Sequence, residues 1–565
     1  MEMPEVGGAA APAAAPSTGW SSRPAASNEP VLRIDDIQGN VLAGFNKDWQ
    51  ALLFLEIVDA AAFRSWLGGV VDEVATAAEV LAFNQLFKAV GRRRRREPPL
   101  RAAWFNLGFS AAGLEQLGAP IAEFADEGFR SGLAIRSSLL GDPVQGAPGS
   151  PPTWCVGGPG KEADVVLVLA ADSGADLRDE VGRLAPRWRQ AGDSGDGARL
   201  LHADNGAALP PPATGHEHFG FKDGISQPGV RGRISEDATD LLTLRQNRFD
   251  ANQGKPGQDL IWPGQFVFGY PGQDRMHDDP QLPGHDSLVD AQGNRRAPDW
   301  ARDGSFLVVR RLLQDVQGFR RFVAETAKQV GVCEGLLAAK LLGRWASGAP
   351  LRTAPAADDG RLADDDCRNN DFVYGDRAAA TAPGGASDPL VCAAARPALA
   401  ADPDGKVCPL AAHIRKMNPR DDVSRFAVGA TPADTRTRRI LRRGVPFGPP
   451  AARSGEATDR GLLFLAYQTS IVEQFEFLQR QWANFLEFDN ITRAGEFSAG
   501  HDPIVGRDAG SPSGPRRFQL RLDQPQRDVV LELPAWVLPT GGGYFFCPAI
   551  PVLARLAAGG LGATP

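Results

Sequence analysis

Residues 215–230 read GHEHFGFKDGISQPGV, and Gly220 and Gly224 there set a single acid, Asp223, inside a loop too irregular to be only a strand. The chain breaks its pattern here, over about residues 220–260, and the stretches on either side follow one plan. Before the break, residues 50–58 form an apolar run suited to a buried strand, and residues 60–87 shift to helical spacing. Residues 102–109 read as a strand and 110–117 as a helix start with Ser110 as its N-cap; residues 164–171 read as a strand and 176–190 as an amphipathic helix. After the break, residues 305–312 with 314–330 repeat the unit, and residues 461–469 with 470–484 repeat it again. Short strands with helices on one side predict an α+β sandwich with antiparallel sheets. A dinucleotide fold is disfavoured, because no strand is followed by a Gly-rich phosphate turn.

The chain has 565 residues, too many for one hydrophobic core, so two domain-sized halves are expected. The division is a leader at 1–30, a first half at 31–235, and a second half at 236–565 with a long insertion at about 349–405. The leader is rich in Ala, Pro and Ser and cannot offset its ordering entropy by burial, so disorder is expected there. The insertion is rich in Ala, Asp, Gly and Pro and runs directly toward His413.

A formal charge of −7 offers no general attraction for phosphate backbones or anionic lipid, so nucleic acid is not an expected partner. The basic run Arg92 to Arg96 reads as a solvated loop before the strand at Trp104. No apolar run approaches the roughly 20 residues that span a bilayer, and no signal peptide or twin arginine is seen, so a cytoplasmic protein with no membrane association is the expectation. The six cysteines lie far apart with no Cys-x-x-Cys pair and are expected as free or core thiols.

Histidine is scarce, at seven residues. The segment Cys408-Pro-Leu-Ala-Ala-His413-Ile-Arg-Lys-Met-Asn-Pro-Arg420 places one of them after an apolar stretch and before a cationic one. Imidazole is a common ligand for haem iron, and cations nearby could pair with haem propionates. Each feature also has a plainer reading: His413 as a structural histidine, Asp223-Gly224 as a tight turn, and Arg442-Arg443 before Gly444 and Pro446 as solvated cations beside a turn. A different iron chemistry could be built from His216 and His218 with Asp223 or Glu217, a two-histidine, one-carboxylate set for non-haem iron.

Several segments together carry a resemblance. Gly220-Phe221-Lys222-Asp223-Gly224 fits a Gly-x-x-Asp-Gly signature, continued by Ile225-Ser226-Gln227-Pro228. With it, in order along the chain, stand Asp36-Ile37-Gln38-Gly39-Asn40-Val41-Leu42, Gly343-Arg344-Trp345, Ala412-His413-Ile414-Arg415, Leu441-Arg442-Arg443-Gly444-Val445-Pro446-Phe447-Gly448 and Gln481-Trp482-Ala483-Asn484. In these segments the chain resembles the dye-decolourising haem peroxidases. The resemblance implies a duplicated ferredoxin-like fold of antiparallel sheets covered by helices, with one haem b per chain in the C-terminal half. It implies reduction of hydrogen peroxide and oxidation of a bulky organic electron donor, a dye or a phenol, through a ferryl state. His413 would be the proximal iron ligand, Asp223 the distal acid/base, and Arg442, preferred to Arg443 because it directly follows Ile440 and Leu441, the distal cation. Asp502 or Asp434 would be the partner of His413.

Phe464 and Leu462 alternate on one strand and are candidates to line the cofactor pocket. Trp482, Tyr467 and Tyr374 are candidate electron relays for donors too large to enter, or else core aromatics. An aspartate shuttle starts from an ordinary pKa of about 3.9 against about 6.5 for histidine, which predicts activity biased toward acid. A haem carrier or iron-handling protein on the same fold is the non-enzymatic alternative. Self-association into a homo-oligomer stays open.

Overall fold

The strand Val165–Ala171 is buried at every position. Strands apolar on both faces belong to a sheet covered on both sides, and here one cover is the sheet itself, curled into a ring. The computed structural model describes residues 28–94, 100–144, 146–184, 197–275, 277, 279–381, 392, 395–422, 431–451, 459–486, 499–508, 516–523 and 526–561. Residues 1–27 of the expected leader, Arg95 and Arg96 of the basic run, and 382–391 and 393–394 of the insertion lie outside the described residues.

The first half contributes β1 (Trp49–Ile57), β2 (Ala103–Phe109), β3 (Val165–Ala171) and β4 (Ala198–Ala207), paired in the order β4-β1-β3-β2. The second contributes β5 (Ser305–Gln314), β6 (Val445–Phe447), β7 (Gly461–Gln468) and β8 (Val537–Cys547), in the order β8-β5-β7-β6, with Leu441–Arg442 on the same edge of β7 as β6. Each set of four has ferredoxin-like order, and every pairing is antiparallel. The local reading expected separate covered sheets; instead the sheets join edge to edge. Phe546 of β8 pairs with Phe109 of β2, and Phe447 of β6 with Gly206 of β4, so the strands close into a barrel. Joining the edges removes the unpaired N–H and C=O rows that each half would otherwise expose.

Alternation sorts the side chains. Leu52, Phe54, Val166, Val168, Leu307, Val309, Leu463, Leu465 and Phe545 fill the barrel. Their neighbours Leu53, Leu55, Leu167, Leu169, Phe306, Val308 and Phe546 point outward into a second core, which in the first half includes Phe63 and Leu67 of the helix Ala60–Val70. Ser110 caps Ala111–Gln116 by accepting from Gly113 N at 3.1 Å, as its position predicts. The helical stretch expected over 60–87 is two helices, Ala60–Val70 and Ala77–Arg94.

The segment Asp36–Leu42 closes one end of the barrel by hydrogen bonding. Gln38 donates to Leu107 O and Pro548 O and accepts from Leu107 N, so its amide bridges β2 to the chain just after β8. Two expectations fail. Glu29, assigned to the leader, is 3% exposed, pairs with Arg231 and Arg245, and accepts from Gly232 N. Cys367 and Cys392, expected as free thiols, form a disulfide with Cα atoms 5.3 Å apart. Their spacing of 25 residues does not disclose that the insertion doubles back on itself. Cys155, Cys333, Cys408 and Cys547 are free. No helix among the described residues is long and apolar enough to cross a membrane.

Candidate active site

Because Leu463 and Leu465 of β7 turn into the barrel, Leu462 and Phe464 turn out of it, as Arg310 and Leu312 do on β5. Over this outward face lies a cavity of about 320 Å³. The loop carrying Asp223 forms one wall and the short helix His413–Met417 another, while the segments Ile471–Glu476 and Leu478–Ala483, wound as π-helix, contribute Phe475, Leu478 and Gln479.

The Asp223 loop is tied by its own acid, Glu217. This half-buried carboxylate accepts from Phe219 N at 2.8 Å, Phe221 N at 3.0 Å and Gln314 Nε2 at 2.6 Å, and its desolvation pushes its pKa up. Gly220 has φ +102, open only to glycine without strain, and lets the chain reverse so that Glu217 N donates to Phe221 O. Asp223 N then donates to Gly215 O, which aims the Asp223 side chain at the cavity.

Arg442 meets it there. Its Nη1 donates to Asp223 Oδ1 at 3.1 Å and its Nη2 to Ser226 O at 3.1 Å, while Gln227 Nε2 donates to Arg442 O at 2.9 Å. Burial raises the pKa of Asp223, but the Arg442 charge, the Gly224 N–H at 2.6 Å and His413 together outweigh it and hold the carboxyl below its ordinary value. Arg443 points elsewhere: it donates to Asn40 O, Val41 O and Leu42 O, binding the chain to the Asp36–Leu42 segment.

His413 lines the same cavity, and its Nδ1 lies 2.8 Å from Asp502 Oδ2. Asp502 is fully buried, and its Oδ1 accepts from Ile504 N at 2.8 Å and Val505 N at 2.9 Å. Burial opposes charge on both partners, yet their attraction wins: the pKa of His413 is raised and that of Asp502 lowered. Asp434, the other candidate, instead pairs with Arg275 and Arg438.

With Nδ1 committed, Nε2 is the nitrogen left to ligate. The cavity suits a flat apolar ring bearing carboxylates. Phe464, Leu462, Leu312, Ile414 and Leu478 supply apolar wall, and buried Arg344 and half-buried Arg420 supply cations that donate to the neutral oxygens of Gly348, Asn369, Asn370 and Phe372. Burial and mutual repulsion push Arg344 down to about 9, so an anion there would relieve both groups.

The non-haem alternative is not assembled. His218 is buried with Nε2 on Phe447 O at 2.8 Å, His216 Nδ1 lies on Thr214 O, and no group of three or more His, Cys, Asp or Glu among the described residues could hold a metal ion. Tyr374, Tyr467 and Trp482 are 2%, 1% and 3% exposed, so none is a surface terminus for electrons. The sequence offered Glu217 only as an alternative iron ligand and Gln227 only as part of a motif; their roles in tying the Asp223 loop and holding Arg442 O come from the fold.

Over an antiparallel barrel of duplicated ferredoxin-like halves, one cavity thus gathers an acid, a guanidinium and a carboxylate-backed imidazole. Comparison with known proteins identifies the family. The model of the DyP dimeric alpha+beta barrel domain matches residues 36–191, and that of the Dyp-type peroxidase C-terminal region matches residues 403–498. A dye-decolorizing peroxidase of Mycena epipterygia is 32% identical over 94% of this chain and 88% of its own length. A multifunctional dye peroxidase of an Amycolatopsis strain is 28% identical over 95% and 98%. A solved ancestral D-type dye-decolorizing peroxidase is 31% identical, with a TM-score of 0.71 over 93% of this chain and 99% of that one. The chain belongs to the dye-decolorizing peroxidase family, and it is a peroxidase.

Proposed function

We propose that the chain binds one haem b in this cavity, with His413 Nε2 as the ligand to iron, and reduces hydrogen peroxide at the expense of bulky organic donors such as dyes and phenols. The observation that carries this reading is the Asp223–Arg442 pair on the same cavity as His413. A haem carrier would need the imidazole but not the pair. Bound haem would supply the iron centre at which peroxide is reduced. Asp223 takes the proton from the inner peroxide oxygen and returns it to the outer one, so that water can leave. Arg442, always charged, stabilises the negative charge that grows on the departing oxygen and gives up no proton. Asp502 holds the His413 proton on Nδ1 and raises the basicity of Nε2. Phe464 and Leu462 supply apolar wall to the cavity.

The test is spectroscopic. The haem-loaded protein shows an intense haem absorption band that shifts on one equivalent of peroxide. In His413→Ala the band weakens and moves; in Asp223→Asn it persists while the peroxide-induced shift slows. A band unaffected by His413→Ala overturns the ligand, and a shift at the normal rate in Asp223→Asn overturns the shuttle.

A further inference from the structure

Away from Asp223, Arg442 and His413, the same cavity carries a second charged group that the peroxide chemistry leaves unused. Arg310 turns out of the barrel on β5, opposite Phe464 of β7 in the pairing register. Its Nη2 donates to both oxygens of Asp142, at 2.8 and 3.0 Å, while its Nε is buried without a hydrogen-bond partner. Arg507 lines the cavity beside this pair. It is 6% exposed, and among the described residues its guanidinium makes one hydrogen bond, from Nη2 to Val537 O. The one carboxylate nearby, Asp142, is already taken by Arg310. Two guanidiniums thus share one carboxylate.

The excess positive charge sits where water is scarce. Burial, and then the Arg310 charge, push the pKa of Arg507 down against the pull of Asp142. A buried charge without a partner is costly, and an anion placed against it removes that cost. The surrounding wall is apolar, with Phe464, Ile504, Val505, Val537 and Pro539 on the same cavity, so the anion it suits is a carboxylate on an apolar body. Two sources supply that chemistry, a propionate of the haem itself and an acidic aromatic donor. The charges acting on Arg344 are those of Arg420 and Arg442, whereas those acting on Arg507 are Asp142 and Arg310. The two cationic groups therefore stand on different walls, and the Arg344–Arg420 wall already suits the carboxylates of the macrocycle. The cavity is also open to a solute, since 44% of the Asp223 side chain and 27% of the His413 side chain are accessible.

We propose that Arg507, with Arg310 beside it, binds the carboxylate of an acidic aromatic electron donor, such as a phenolic acid, within the cavity. The proposal rests on the reading of this cavity as the haem site and adds the class of donor it selects. The planar guanidinium of Arg507 meets the carboxylate, and the aromatic body lies against the apolar wall.

The experiment measures, by calorimetry at neutral pH and without peroxide, binding of 4-hydroxybenzoate and of its neutral amide, 4-hydroxybenzamide, to the haem-loaded full chain. The acid is expected to bind more tightly than the amide by about tenfold or more, the difference made by a hydrogen bond between charged groups. Arg507→Gln is expected to bring the acid down to the level of the amide and to leave the amide unchanged. If that variant does not fold, Arg507→Lys, which keeps the charge but loses the planar fork, is expected to reduce the preference severalfold. A second arm follows release of haem, and of haem with both propionates esterified, to a competing apoprotein; the Arg507 variant is expected to release each at the rate of the unmodified chain. No preference for the acid in the unmodified chain, or a full preference surviving in the folded Arg507 variant, overturns the proposal. So does faster release of haem but not of its ester, which makes a propionate the occupant. Failure of the chain to load haem overturns the haem reading and this proposal with it, whereas a loaded chain that lacks the preference overturns this proposal alone.

Discussion

In the proposed mechanism Asp223 and Arg442 set the pH behaviour of the site. Asp223 must be ionised to act as a base, and its pKa is depressed, so the rate holds into acid and falls as pH drops through that depressed value. Removing the Arg442 charge leaves burial as the dominant influence. Arg442→Leu therefore moves the acid limb of the stopped-flow pH profile upward, in addition to lowering the rate plateau. Asp223→Asn lowers the rate of peroxide reduction by about 10²- to 10⁴-fold at pH values above the acid limb and abolishes that limb. On the other side, Asp502→Asn removes the acceptor of the His413 Nδ1 proton. Haem affinity falls by about 10- to 100-fold, read as faster transfer of haem to a competing apoprotein. These residues were legible because their motifs are local: Asp223 lies between two glycines, and Arg442 follows an apolar pair. The choice between Asp502 and Asp434 was not legible, since 89 residues separate His413 from its partner and only the fold brings them to 2.8 Å.

Among elements, the π-wound segment has its anchor in the other half of the molecule. Asp126 accepts from Phe129 N, capping the helix Glu127–Ser131, and its other oxygen accepts from Ile471 N, Val472 N and the Ser470 hydroxyl. One carboxylate thus caps two helices. Asp126→Ala is expected to cost about 2–4 kcal/mol in denaturant unfolding, as two caps are lost and buried N–H groups are left unpaired, against about 1 kcal/mol for Ser470→Ala. The helical spacing over 470–484 was readable; the i→i+5 winding was not, because side-chain periodicity barely distinguishes it from an α-helix. β8 was missed for a different reason. Pro539 and the run Gly541 to Gly543 argue against a strand, yet at Gly542, with φ +143, a Cβ would stand 2.1 Å from Val309 O. Glycine is there because the two backbones approach too closely for a side chain, and pairing with β5 overrides local propensity.

Over the whole molecule, closure of the barrel makes the two halves interdependent. A fragment of residues 31–235 would expose β2 and β4 as unpaired edges and lose Phe545, Val309 and Leu463 from its inner core. Expressed alone, it is expected to aggregate or to unfold without a cooperative transition, measured by size-exclusion chromatography and denaturant titration; a monomer with a sharp transition would contradict this. By itself the sequence determined the repeated strand-helix units and the α+β class, because periodicity and caps act over a few residues, and its resemblance to a known family supplied the candidates for peroxide chemistry. Only the tertiary structure decided that two sheets close into one barrel, that Cys367 meets Cys392, that Asp502 backs His413, and that Arg443 turns away from the site its neighbour enters. Each of these depends on groups far apart in the chain whose approach is fixed by strand pairing and burial, and no local pattern encodes that distance.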